Sequence, residues 1–267
     1  LVARTSGHVK PAHIDLAAAI ELMHTASLVH DDILDNADTR RHVPAIHSRW
    51  GHQAAVLLGD YLFSHAFELT AGVGDTRLNR EVAATARKVC QGEIHQSLEA
   101  GNWDVSETAY HDMIEGKTAE MIAAAARLAA FICGRPEAEC QGFDAYGRNL
   151  GMAFQIADDL IDLEGEENRA GKSLGTDLDQ GKATLPLIHA LTNLKGSARE
   201  DLLVLLRSGG ERKGLRRLLD QSGSIAFARD KARDHVARAK RAIGFLAATP
   251  YRQALLGSAD KALARDC

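Results

Sequence analysis

Residues 118–132, TAEMIAAAARLAAFI, are apolar on nearly every side, with Glu120 and Arg127 as the main exceptions. A helix without a polar face is stable in water only where other helices surround it. This stretch therefore demands a helical bundle with a crowded centre. Long runs of Ala, Leu, Glu and Arg, with five prolines and seven phenylalanines among 267 residues, favour helix over sheet elsewhere too. The apolar share of 45% is enough for a sizeable core.

Apolar residues at three- and four-residue spacing predict a helix from Ile14 to Leu34 and another over 48–71, with Ala55, Leu58, Leu62, Ala66 and Leu69 on one stripe. A third runs from about Leu78 to Ala100, closed by Gly101. Ser106 starts a helix that continues unbroken through the 118–132 stretch, and 137–164 forms the next. Further helices are expected over 183–194, 198–207, 211–221 and 223–247, with a short one after Pro250. The segment Asn36–Pro44 reads as a loop, and 164–181, charged and punctuated by glycine, as a mobile loop, with 165–181 the candidate lid. Without strand alternation, linker or fixed-period repeat, the expected architecture is one all-α domain over residues 1–267.

The formal net charge of −4 leaves no basic footprint for nucleic acid. Cys90, Cys133, Cys140 and Cys267 are far apart with no CxxC pair, which predicts free thiols in a reducing cytoplasm and no zinc site. No run of about 18 apolar residues is present to span a membrane.

The chemistry concentrates in LVHDDILDNADTRR, residues 28–41. Asp31 and Asp35 are four apart and share a helix face, with Asp32 beside them. Crowded carboxylates repel, and a divalent cation relieves that; an all-oxygen site with room for water and phosphate suits Mg²⁺. Arg40 and Arg41 follow as guanidinium forks of the kind that grip phosphate. Alone, the motif also suits a solvated helix end. Residues 154–162, FQIADDLID, repeat the spacing with Asp158, Asp159 and Asp162. Together they describe a pocket for a metal-held diphosphate.

These motifs resemble those of the trans-isoprenyl diphosphate synthases, the polyprenyl synthetase family, from residue 1 to about 250. HDDILDNADTRR resembles the family's first aspartate-rich motif and FQIADDLID its second; KTAEM (117–121) and GTDLDQGKATLPL (175–187) match two further signatures in the right order. The resemblance implies an isoprenoid-synthase-type bundle around a central cavity and a homodimer paired through 48–71 and 78–100, with Leu58, Leu62, Phe63 and Phe67 on the pairing faces. It implies three Mg²⁺ ions: two on Asp31 and Asp35 with Asp32 behind them, and a third on Asp158, with Asp159 and Asp162 ligating through waters. Arg40, Lys117 and Lys172 would bind an allylic diphosphate and Lys182 close over it. His24 and Arg41 would bind isopentenyl diphosphate, and Thr118 and Gln155 would lie beside the carbocation. The lipid product would pass to a membrane.

One departure stands out. The family's Gly-Gly-Lys-Arg stretch ahead of the first long helix is not in this sequence, and a missing N-terminal segment is the expected reason. A geranylgeranyl diphosphate synthase, a non-catalytic partner subunit, a terpene cyclase and a helical scaffold are the alternatives. Two intact aspartate motifs speak against the last three.

Product length should be set below Asp31 on the same helix. Bulky aromatics stand four or five residues before the first Asp in family members that stop at fifteen carbons; here those positions are Ala26 and Ser27. Met23, Ile20 and Ala19 come next, and Ala19 lies about 12 Å below Ser27 at 1.5 Å per residue. Met121 and Ile122 of the apolar helix would form the opposing floor. Products longer than fifteen carbons are expected.

Overall fold

Pro11 opens the first long helix three residues before the expected start, its fixed φ suiting the first helical position. The side chain of His13 accepts a hydrogen bond from the Lys10 N–H (2.9 Å) and completes the cap. The computed structural model describes residues 1–40, 43–164, 176–208 and 212–264. After a single turn, α1 (Val2–Thr5), comes α2 (Pro11–Leu34); Asn36, in left-handed conformation (φ 50°), turns the chain beyond it.

Three expectations need correction here. The Asn36–Pro44 loop contains a small antiparallel ladder, β1 (Thr39–Arg40) against β2 (Val43–Pro44). The single helix expected over 48–71 is two, α3 (Ile46–Trp50) and α4 (His52–Gly72), because Gly51 takes φ +86° between them. After α5 (Thr76–Leu98), the helix expected to run unbroken from Ser106 is interrupted: α6 (Glu107–Ile114) passes into a π turn, Glu115–Ala119, before α7 (Glu120–Ile132). The 28-residue α8 (Glu137–Glu164) matches its expected bounds. Then follow α9 (Thr176–Asp179), α10 (Leu185–Asn193), α11 (Ser197–Ser208), α12 (Arg212–Gln221), α13 (Ser224–Ala242) and α14 (Pro250–Leu263).

Helix α7 takes the central place its composition demands. Met121, Ala124 and Leu128 join Leu16, Ala19 and Met23 of α2 and Leu78 and Val82 of α5 in one apolar cluster, while Ala126 and Ala130 join Phe143 of α8 and Val236 of α13 in another. Its two polar residues are both neutralised: Glu120 by Lys88 and Arg148, and Arg127 by Glu81 and Asp144. Helix α8 lies almost backbone-to-backbone on this layer. A methyl on Gly147 would sit 2.6 Å from the Ile122 carbonyl, and one on Gly151 2.5 Å from Ala119 Cα.

The residues expected on a pairing face are partly taken up by the chain's own core. Phe63 and Phe67 pack on the α2–α5–α7 cluster, and Leu58 and Leu62 are half-buried; the exposed apolar residues of α4 and α5 are Val56, Leu57, Tyr61, Ile94 and Leu98. Cys90, Cys133 and Cys140 are free thiols. Among the described residues no helix is long and apolar enough to cross a membrane.

Candidate active site

Both aspartate motifs sit at the C-terminal ends of their helices, Asp31 and Asp32 in the last turn of α2 and Asp158, Asp159 and Asp162 in the last two turns of α8. A helix already carries partial negative charge there, and neither last turn holds a basic residue to offset it. The fold thus places two sets of carboxylates where they are electrostatically costly, and cations from elsewhere must compensate.

At the α2 end, those cations come from two distant segments. Lys117 Nζ lies 2.6 Å from Glu93 Oε2 and 4.0 Å from Asp31 Oδ2, and donates to Gln96 Oε1 (2.9 Å). Burial, with Glu93 and Asp35 nearby, pushes the Asp31 carboxyl up to about 6 despite Lys117. The same carboxylates hold the Lys117 ammonium above its ordinary range, against the effect of its own burial. Lys182 Nζ sits 3.0 Å from Asp35 Oδ1 and 3.9 Å from Asp177, and Gln180 donates to the Asp35 carbonyl (3.1 Å). Gly181 makes this approach possible: it turns at φ +69°, and its carbonyl accepts from Gly101 N–H at the end of α5 (2.9 Å). Asp32 is buried behind this wall and accepts from Arg40 Nε (2.7 Å).

On α8, Arg216 and Arg229 pair with the terminal Glu164, while Asp159 and Asp162 meet uncharged donors. Asp159, buried, accepts from the Tyr110 hydroxyl (2.6 Å) and the Gln155 amide (2.8 Å). Thr118 Oγ1 in turn donates to Gln155 Oε1 (2.8 Å), which fixes the amide's orientation. Burial and the charge of Asp177 push the Asp159 carboxyl up to about 8, outweighing its two donors. Asp162, also buried, accepts from Thr176 Oγ1 and the Asp177 N–H, both at 3.2 Å. Asp158 is half-buried on the same turn.

The π turn joins the two walls. It brings Lys117 to Asp31 and the adjacent Thr118 to Gln155, held between α5 and α8 with no side chain in the way: a methyl on Gly92 would lie 2.4 Å from the Lys117 nitrogen. Lys182, Asp177 and Asp162 form the second link. All four motifs therefore converge. His24 is exposed two turns before Asp31, while Arg41, Lys172 and most of the expected lid lie outside the described residues. Of the chain-length residues, Ala19, Met23 and Ala26 are fully buried, Met121 is buried, Ile20 and Ser27 are half-buried, and Ile122 stands apart from the cluster that holds Met23 and Met121. Glu93, Gln96, Tyr110, Asp177 and Gln180 belong to the site without having been singled out in the sequence. Their hydrogen-bond partners in the site lie 15 to 145 residues away.

The donor set suits a hard divalent ion. Every candidate ligand is a carboxylate oxygen at a dipole-negative helix end, and among the described residues no three acidic, His or Cys groups form a closed cage. Mg²⁺ is commonly held in this way, by one or two carboxylates plus water and phosphate.

Residues 1–220 match the family model for polyprenyl synthetase. The chain is 34% identical to octaprenyl diphosphate synthase of Escherichia coli, covering all of this chain and 83% of that protein. It is 40% identical to a short chain isoprenyl diphosphate synthase of Methanothermobacter thermautotrophicus, covering 94% and 79%. The crystal structure of a polyprenyl synthase from Caulobacter crescentus, complexed with calcium and isoprenyl diphosphate, superimposes with a TM-score of 0.92 at 36% identity, over all of this chain and 82% of that one. This all-α chain belongs to the polyprenyl synthetase family and is a prenyltransferase.

Proposed function

We propose that the protein condenses isopentenyl diphosphate with an allylic diphosphate, in the presence of Mg²⁺, to give a long-chain trans-polyprenyl diphosphate. The observation that carries this reading is the pairing of two carboxylate sets at dipole-negative helix ends with lysines already turned toward one of them. Asp31 and Asp35 would hold two ions and Asp158 a third. Asp32, Asp159 and Asp162, buried with their oxygens engaged by protein donors, act from behind, which moves Asp159 and Asp162 away from water-mediated ligation. When bound, the ions supply Lewis acidity toward the departing diphosphate.

The remaining steps fall to the chain. Lys117, Lys182 and Arg40 exchange their carboxylate partners for diphosphate oxygens as the allylic C–O bond breaks. Lys172 is assigned to the same diphosphate, and His24 and Arg41 to that of isopentenyl diphosphate. Thr118 and Gln155, linked to each other and to Asp159, present fixed dipoles to the allylic cation without attacking it. The alkene of isopentenyl diphosphate forms the new C–C bond, and a proton leaves to the released pyrophosphate, so no side-chain base is needed.

Long products follow from the small Ala26 and Ser27 below Asp31, with Met23, Ile20 and Ala19 deeper and Met121 opposite. The octaprenyl name of a full-length relative supports the same length class. The chain acts as one domain in the cytoplasm and pairs with a second copy. The exposed Val56, Leu57, Tyr61, Ile94 and Leu98 supply the pairing surface, in place of the Phe63 and Phe67 face. A monomer in sedimentation at micromolar concentration refutes the pairing. Incubation with isopentenyl and farnesyl diphosphates, with and without Mg²⁺, followed by chromatography of the products, tests the activity. Elongation past twenty carbons only with Mg²⁺ is expected; no elongation overturns the reading.

A further inference from the structure

Arg148 of α8 makes a contact that an α-helical partner could not offer. Its Nη1 donates to Glu115 Oε1 (2.8 Å) and to Glu120 Oε2 (2.9 Å), the residues at the two ends of the π turn. Residues five apart in an α-helix point about 140° away from each other at 3.6 residues per turn. In the π turn the Glu120 N–H instead bonds to the Glu115 carbonyl, a five-residue repeat that brings both carboxylates to one side. One guanidinium nitrogen thus touches both ends of the irregular turn. The rest of Arg148 is fixed by Asp144 (3.1 Å to Nη2), and Glu120 is also held by Lys88 (3.0 Å).

We propose that Arg148, through Glu115 and Glu120, selects the π turn over a continuous α-helix and so acts as a positioning residue for Lys117 and Thr118. Inside the turn, Lys117 is held by Glu93 and Gln96 and Thr118 by Gln155, the contacts that the turn serves, and Arg148 is the group that ties its two ends together. The turn's flanks are the bare backbones at Gly92 and Gly151, which permit the π conformation but exert no directional pull. Reversion to α geometry would rotate Lys117 away from Asp31 and Glu93, and Thr118 away from Gln155. Arg148 reaches no substrate-facing group itself; its partners Glu115, Glu120 and Asp144 lie among the α7–α8 contacts. Burial works against the charge on Glu120, but Lys88 and Arg148 hold its carboxyl below the ordinary range.

This inference rests on the proposed prenyl transfer for its functional consequence and on geometry alone for its structural one. The test combines Arg148→Gln with Lys117→Ala in a double-mutant cycle, reading KM for farnesyl diphosphate. Arg148→Gln should raise KM about tenfold in the wild-type background and less than about twofold beside Lys117→Ala, because the lysine it positions is already gone. Arg148→Lys should recover part of the loss. Equal effects in both backgrounds, or a fall in melting temperature with KM unchanged, overturn the proposal. Glu115→Gln guards against misfolding, since Glu115 is half-buried and its loss leaves Glu120 paired with both cations. Hydrogen exchange of residues 113–122 reads the turn whatever the enzyme elongates. Faster exchange there in both single variants, with α10 to α14 as protected as in wild type, supports the clamp, and unchanged exchange refutes it. A wild-type protein that elongates nothing refutes the proposed function separately.

Discussion

Asp31 and Asp35 meet ammonium groups, whereas Asp159 and Asp162 meet a phenol, an amide, a hydroxyl and a backbone N–H. The two walls carry the same residue type at the same spacing on helix ends of the same polarity, so sequence does not explain the contrast. The packing does. The α2 wall is reached by long, flexible lysines that can leave a carboxylate for a diphosphate. On the α8 wall, Asp159 is locked by Tyr110 and Gln155, which cannot move without disturbing the core, and Asp162 is held by α9. One wall exchanges charge with substrate, and the other keeps the geometry against which that exchange happens.

The largest test asks whether both walls are needed. Asp31→Ala or Asp158→Ala should each lower turnover by about a hundredfold to a thousandfold, as loss of a group facing transition-state charge does. Near-normal turnover in either variant removes that wall from the chemistry. Next, Lys182→Met should cost about ten- to a hundredfold in kcat/KM, through KM, as loss of a hydrogen bond to a charged group does. Tyr110→Phe should leave KM alone and lower stability by about 1–3 kcal/mol in urea unfolding, because Asp159 loses a buried donor. If Lys182→Met changes stability but not KM, the exchangeable wall has been misread.

A subtler change tests the channel below the first wall. Ala26→Phe or Ser27→Phe should shorten the product while sparing the first condensation. An unaltered product distribution places the growing chain elsewhere. The smallest expected effect concerns pH and lies behind the second wall. Burial, with Arg238 and His111 nearby, lowers His235 to about 4, where its Nδ1 is bonded to Asn149 (2.9 Å). The unfolded chain takes up a proton near 6.5 and the folded one resists it, so stability is lost as pH falls from about 6.5 toward 4. His235→Gln should flatten that loss between pH 7 and 5, measured by urea midpoints. Asp234 and Lys231 are unchanged in the variant, and an identical loss excludes His235 as its source.

The two aspartate motifs were legible because each is short and its spacing sets a helix face, Asp31 to Asp35 and Asp158 to Asp162; the other two were legible only through the family resemblance. The all-α class was legible from the apolar 118–132 stretch. The π turn was not, because the apolar pattern runs through residues 106–134 without interruption. The available signal was indirect: glycines at 92 and 151 inside regular helices, and at 116 in the turn itself, each marking a close backbone approach. Gly51 offered a similar hint, but only its positive φ shows that it splits a helix. That Phe63 and Phe67 pack in part on the chain's own core was not legible, because a stripe shows that a face is buried and not what buries it. Tyr110 and Asp159 are 49 residues apart, and no local pattern joins them.

The most direct test of the contrast between the walls compares two neighbours, Asp158→Asn and Asp159→Asn, in incorporation of isopentenyl diphosphate onto farnesyl diphosphate at saturating Mg²⁺. The account expects Asp158→Asn to lose at least about a hundredfold in kcat. Asp159→Asn, which keeps a shape that Tyr110 and Gln155 can still hold, should lose no more than about tenfold. Equal losses, or the reverse order, would contradict a charge-bearing front residue backed by a fixed hydrogen-bonded post.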